Sequence, residues 1–212
     1  MQINSTLIYV HDPMCSWCWG FEKIRQLLFD SLKGQINIRS LVGGLAIDSN
    51  EAMPKEMQIF LQDTWRKIEH SIPGTEFNFA FWSDCEPRRS TYPSNRAVIA
   101  ARLQGEHFDE LMIKRIQQAY YEEARNPSDN SVLIELADDI GLNINTFTAA
   151  LNSKKIQQLL LEEIQLTRAL GVNSFPSLMV ENEGNLTHIV LNYNEVDNLL
   201  EQIHKSQTGE IL

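Results

Sequence analysis

Apolar and polar positions follow a strand rhythm near both ends of the chain and a helical rhythm between them. Residues 3–10, INSTLIYV, are β-branched and apolar over most of their length, the pattern of a buried strand. After Pro13 the period lengthens. Phe21, Ile24, Leu27 and Leu28 recur at helical spacing until Gly34 stops the helix. INIRSLV at 36–42 alternates as a second strand and ends at Gly43 and Gly44. Strand, helix and strand in succession form a βαβ unit, with parallel strands and a right-handed crossover.

From about residue 51 to 170 the pattern is helical throughout. Met57, Phe60, Leu61, Trp65 and Ile68 form one apolar stripe, and Ala97, Val98, Ala101 and Leu103 a second. Phe108, Leu111, Met112, Arg115 and Ala119 form a third, which Asn126-Pro127 ends. Ser131 is placed to cap the next short helix and Gly141 to close it; Asn145 or Thr146 caps another. Ile156, Leu159, Leu160 and Ile164 begin the last, which stops at Gly171. SLMVEN and LTHIVLN then flank Glu183-Gly184-Asn185 as a hairpin. Asn194 caps a final helix bearing Val196, Leu199, Leu200 and Ile203. The order is βαβ, helices, ββα. Residues 1–50 and 166–212 therefore predict one discontinuous α/β domain, and residues 51–165 an inserted helical domain packed on its face.

Composition narrows the function classes. A net charge of -10 over 212 residues leaves no basic face for nucleic acid or for an anionic membrane, so neither is expected as a partner. No apolar run approaches a membrane span. The start, MQINSTLIYVHD, lacks a basic n-region and a long apolar h-region, which predicts a cytoplasmic location. Cytosolic thiols are mostly kept reduced, and three cysteines are too few for a structural disulfide framework.

Two of those three cysteines lie in DPMCSWCWGF. Cys15 stands where the first strand ends and the first helix begins. There, unpaired N–H groups and the helix dipole favour a thiolate. Cys18 is one turn further in, on the same side and within disulfide reach. The spacing lets an outer thiolate attack a disulfide while an inner thiol resolves the mixed intermediate. Two other readings compete. A pair at this spacing is half of a zinc site, but only Cys85 and five scattered histidines could complete it, so no metal is expected. Buried cysteines can also be plain core residues. The second landmark is SFPSLMV, where Pro176 precedes the third strand and could follow a cis bond. A CxxC after the first strand and a proline before a ββα ending have the spacing of a thioredoxin fold.

On these residues the chain resembles the DsbA-like thiol:disulfide oxidoreductases, and within them the cytosolic branch of protein-disulfide isomerases. DPMCSWCWGF, the helical middle and SFPSLMV carry the resemblance, which extends over nearly the whole order of elements. It implies Cys15 as the attacking thiol, Cys18 as the resolving thiol and Pro176 as a cis-proline facing the pair. The backbone of Phe175 would pair with an extended substrate. No cofactor is implied. The partners are protein or peptide thiols and disulfides, with glutathione as a further candidate. Two departures matter. Trp17 stands where strongly oxidising members carry a histidine that supports the thiolate, which points to reduction or isomerisation. Kappa-class glutathione transferases and chromene-carboxylate isomerases have serine where Cys15 stands, so keeping both cysteines favours disulfide exchange. A glutathione-dependent transferase or isomerase is the alternative enzyme class, and a non-catalytic binding module, metal-bound or not, is the alternative outside enzymes.

The remaining expectations are local. Trp17 lies exposed on a substrate-receiving rim and Trp19 is buried; Asp12 is a solvated turn residue beside Pro13. Arg88 and Arg89 are a solvated pair or hold an anion such as a glutathione carboxylate. Cys85 is inert, and the helical stripes, Phe60 included, are core.

Overall fold

A computed structural model describes residues 5–208. Residues 3 and 4 of the first predicted strand lie outside the described residues. The elements run β1 (Ser5–His11), α1 (Ser16–Leu32), β2 (Asn37–Val42), α2 (Lys55–Ser71), α3 (Phe81–Asp84), α4 (Tyr92–Arg102), α5 (His107–Tyr121), α6 (Asn130–Asp139), α7 (Ile144–Leu151), α8 (Lys154–Ala169), β3 (Ser177–Asn182), β4 (Asn185–Ile189) and α9 (Val196–Thr208). The sheet order is β2-β1-β3-β4. β1 is parallel to β2 and antiparallel to β3, which forms the hairpin with β4. This is a thioredoxin-like fold carrying a helical insertion, as the element order predicts.

The continuous apolar run of β1 has a simple cause: both of its faces are covered. Leu7 and Tyr9 pack with Phe21, Ile24, Leu28, Leu199 and Ile203 of α1 and α9. Ile8 and Val10 pack with Leu41, Met179 and Phe175 on the other face. A second core gathers Ala97, Val98 and Ala101 of α4 with residues of α5 through α8 and with Val42 of β2. An aromatic cluster joins the two regions. Met14 lies in it with Trp65, Phe77, Phe81, Tyr120 and Tyr121, so the chain just before Cys15 is packed against α2 and α5.

Several local expectations shift. Asn143 caps α7, its side chain accepting from the Thr146 N–H, in place of Asn145 or Thr146. α6 starts at Asn130 with Asp129 at its N-cap position, so Ser131 lies inside the helix. Asn194 does not cap α9; Asn192 Oδ1 accepts from the N–H groups of Asn194 and Glu195 just ahead of it. Polar residues cluster at each of these helix starts, and neighbouring packing decides which becomes the cap. The hairpin turn is two residues, Glu183 and Gly184, both at positive φ, and Asn185 already pairs with Asn182. On α5 the buried stripe is Met112, Ile113, Ile116, Ala119 and Tyr120. Leu111 is exposed and Arg115 reaches Glu123 and Asp139, so the predicted stripe is turned by about one residue. Leu103 is likewise exposed, and α2 buries only Trp65 and Ile68. Phe60 is 63% exposed, because the first half of α2 overhangs the cavity described next instead of packing on a neighbour.

Candidate active site at the Cys15–Cys18 pair

Chain direction places the pair. β1 ends at His11, the segment Asp12–Met14 turns, and Cys15 occupies the N-cap position of α1 with extended backbone (φ -83, ψ 117). The Cys15 N–H donates to the Asp12 carbonyl at 3.0 Å, closing the turn. Both thiols are free. Cys15 is 8% exposed and Cys18 0%, so the first meets the surface and the second is sealed behind it.

The electrostatics of the two thiols are opposed. The Cys18 thiol and then the backbone N–H groups of Cys18 and Trp17 hold the Cys15 pKa below its ordinary value, against burial and the Asp12 charge. Burial first, and then Cys15 itself, push Cys18 well above its ordinary value. One sulfur is therefore a thiolate more readily than the other.

The segment before β3 closes over the pair. Cys15 Sγ donates to the carbonyl oxygen of Phe175 at 3.4 Å, and the Phe175–Pro176 peptide bond is cis. The Phe175 ring lies directly on the backbone of Gly43. A Cβ there would fall 2.0 Å from a ring carbon, so only glycine admits this approach.

Asp12 is a correction to the sequence reading. It is not a solvated turn residue but is 0% exposed, and it accepts four hydrogen bonds. The donors are the N–H groups of Met14 (2.9 Å) and Leu45 (2.7 Å), Thr91 Oγ1 (2.7 Å) and Asn95 Nδ2 (2.8 Å). Burial still raises its pKa, with these four bonds working against the rise. The bond to Met14 is a local Asx turn that Asp12-Pro13 could have suggested. The other three come from distant parts of the chain.

The two indoles do not divide into one exposed and one buried. Both are half-buried. Trp17 is held edge-on by Tyr193 at 5.4 Å and lies under Lys67 Nζ at 5.9 Å. Trp19 stacks on Tyr121 at 5.7 Å and stays near the surface, where its Nε1 donates to the Glu76 carbonyl. A cavity of about 320 Å³ opens beside Cys15, lined among others by Trp17, Phe60, Arg89, Tyr120 and Phe175. The arginine pair is split: Arg88 pairs with Asp129, whereas Arg89 lines the cavity without an ion pair among the described residues. Cys85 donates to the Ala124 carbonyl at 3.0 Å, and burial followed by the charges of Asp129 and Asp84 raises its pKa. It is therefore less readily a thiolate than an ordinary cysteine.

Sequence reasoning counted His11 only among the five scattered histidines and gave it no role. It is buried at the end of β1, stacked on Tyr9 at 5.1 Å, with no hydrogen-bond partner for either ring nitrogen among the described residues. Burial, then Arg25 and Arg102, lower its pKa to about 3, so it stays neutral. Among the described residues no group of three or more His, Cys, Asp or Glu is arranged to hold a metal.

Comparison with known proteins agrees with the geometry. A thioredoxin family profile matches residues 8–201. The ClpXP adapter protein SpxH of Halalkalibacterium halodurans is 27% identical over 176 residues, covering 81% of this chain and 57% of that protein. SpxH of Bacillus subtilis is 25% identical over 168 residues, covering 79% and 55%. The chain thus spans little more than half the length of these curated relatives. A crystal structure from Nitrosomonas europaea, provisionally described as a protein disulfide isomerase, superposes with a TM-score of 0.82 at 25% identity, covering 96% of this chain and 97% of that one. The cytosolic disulfide reductase DsbM of Pseudomonas aeruginosa shares the fold, with a TM-score of 0.75 at 23% identity over 95% and 98% of the two chains. With a strand-end CxxC, a helical insertion and a family match over nearly its whole length, the chain belongs to the thioredoxin family.

Proposed function

We propose that this protein exchanges disulfides in the cytoplasm, with Cys15 as attacking thiolate and Cys18 as resolving thiol. The observation that carries the reading is the asymmetry of the pair. Cys15 opens on a cavity at the start of a helix with a lowered pKa, while Cys18 is sealed and its pKa is raised. The Cys15 thiolate attacks one sulfur of a substrate disulfide, forms a mixed disulfide and releases the other half as thiolate. Cys18 then loses its proton, attacks Cys15 Sγ and releases the second half. Two electrons pass from the dithiol to the substrate, and Cys15–Cys18 is left oxidised.

Phe175 has a part in this cycle. Its carbonyl accepts the Cys15 thiol in the resting state, at 3.4 Å. When that thiol ionises the carbonyl loses its donor and becomes free to accept an N–H from an extended substrate. Pro176 positions Phe175 for that contact, and Trp17 forms one wall of the approach. The substrates are protein or peptide thiols and disulfides, with glutathione a further candidate. Trp17 in place of a cationic residue favours reduction or isomerisation over strong oxidation.

Equilibration in glutathione buffers, read by tryptophan fluorescence, tests the reading. A reversible two-electron couple near the thioredoxin end, about -270 mV, supports a reductase, and one near -120 mV an oxidant. Absence of any couple in the wild type would remove the redox reading. A second reading, partner binding without turnover, draws on the relatives named ClpXP adapters and on exposed Ile59 and Phe60 of α2, the latter lining the cavity. Partner binding that survives loss of both cysteines would favour it.

A further inference from the structure

The cavity beside Cys15 has an unusual charge for this chain. Asp and Glu outnumber Lys and Arg by 28 to 18, yet among the described residues no acidic side chain lines the cavity and two arginines do. Arg88 is neutralised by Asp129. Arg89 makes no ion pair or side-chain hydrogen bond among the described residues. The Asp12 carboxylate, bonded to the cavity-lining residues Leu45 and Thr91, is buried and already engaged by four donors. Arg89 therefore brings a side chain without an ion pair among the described residues to the lining of a largely apolar cavity that Cys15 also lines. Burial raises the pKa of the Tyr120 phenol in the same wall and Arg89 is the group that pulls it back, which puts the guanidinium within electrostatic range of that wall. The Lys67 ammonium lies 5.9 Å from the ring centre of Trp17, a cavity-lining residue, and adds to the positive potential nearby.

The size selects among anions. About 320 Å³ is near the lower end of small-molecule cavities and holds a compact ligand, not a folded surface. A guanidinium left unpaired in a partly apolar cavity is a ready carboxylate site, since the ligand supplies the counter-charge that the protein withholds. We propose that Arg89 binds the carboxylate of a small disulfide or thiol while its sulfur reacts at Cys15. This rests on Cys15 being the nucleophile. The exchange itself is unchanged: Cys15 Sγ bonds to one sulfur of the ligand, the ligand's S–S bond breaks, and the other half leaves as thiolate. Arg89 is a binding residue and takes no part in the bond changes.

The experiment compares two small aromatic disulfides in stopped flow against the reduced protein. Dithiobis(nitrobenzoate) carries a carboxylate on each half, and dithiodipyridine carries none. Arg89→Gln is expected to slow the reaction with the carboxylate probe by about tenfold, the factor equivalent to 1.4 kcal/mol. The neutral probe should react within twofold of wild type. Arg89→Lys should recover part of the loss, and added salt should weaken the carboxylate preference of wild type but not of Arg89→Gln. A merely structural role for Arg89 would slow both probes alike, and that result overturns the inference. An unchanged carboxylate rate in Arg89→Gln overturns it too, leaving the nucleophile assignment intact. If neither probe reacts at Cys15 of wild type, the nucleophile assignment fails and the inference with it.

Discussion

Thr91 Oγ1 donates at 2.7 Å, across 79 residues of sequence, to the Asp12 carboxylate three positions before Cys15. The same carboxylate takes the Leu45 N–H, just beyond β2, and Asn95 Nδ2, in the first turns of α4. A single buried side chain thus fastens the cysteine turn to the sheet and to the insertion. Its charge also raises the pKa of both thiols.

Asp12→Asn should therefore separate two effects. An amide offers one acceptor and one donor group to a ring of four donors, so some bonds are lost at a cost of about 1–3 kcal/mol. At the same time the Cys15 pKa should fall, because a negative charge is removed. Denaturant unfolding reads the first and thiolate ultraviolet absorbance against pH the second. The sign with pH follows from burial. A carboxyl whose folded pKa is raised contributes stability when protonated, and that contribution is lost as pH rises through the raised value. Asparagine does not titrate, so the gap between wild type and variant should widen as pH is lowered toward the ordinary carboxylate range.

Cys18→Ala removes the largest influence that lowers the Cys15 pKa, the hydrogen bond from the second thiol. The midpoint of Cys15 alkylation by iodoacetamide should move upward, toward the ordinary cysteine value of about 8.5. The variant should also accumulate the mixed disulfide, since nothing resolves it. Mass spectrometry after brief exposure to a small disulfide measures that directly.

Gly43→Ala tests how Phe175 is held. The new Cβ would meet the Phe175 ring at 2.0–2.2 Å, and the ring must move. Overpacking of this kind costs about 1–3 kcal/mol. Because Phe175 carries the carbonyl that Cys15 donates to, disulfide exchange should slow more than the stability loss alone explains. Exchange rates measured well below the unfolding midpoint distinguish the two.

Phe60→Ser should do the opposite. The ring is largely solvent-exposed on the overhanging half of α2, so unfolding should change by no more than about 0.5 kcal/mol. If the ring receives protein substrates at the cavity edge, KM for a disulfide-bonded protein should rise while kcat is held. Steady-state kinetics on such a substrate gives the split.

The Cys15–Cys18 pair, the β1–α1 junction that places it and the order βαβ, helices, ββα follow from residues close together in sequence. Period, breaker residues and a spacing of three encode them locally, so the chain by itself determines them. Asp12, Gly43, Phe60 and Arg89 are of another kind. Asp12 beside Pro13 has the form of an ordinary turn, and only the arrival of Leu45, Thr91 and Asn95 makes it a buried hub. Phe60 has the period of a core residue, but α2 packs by its second half alone. Arg88 and Arg89 are adjacent in sequence, yet Asp129 neutralises one and, among the described residues, no carboxylate pairs with the other. A sequence specifies which groups are adjacent along the chain and which face of an element is apolar. Which polar group is buried, which apolar group is left exposed and which charge lacks a partner depend on contacts between distant segments, and those exist only once the insertion has docked on the sheet.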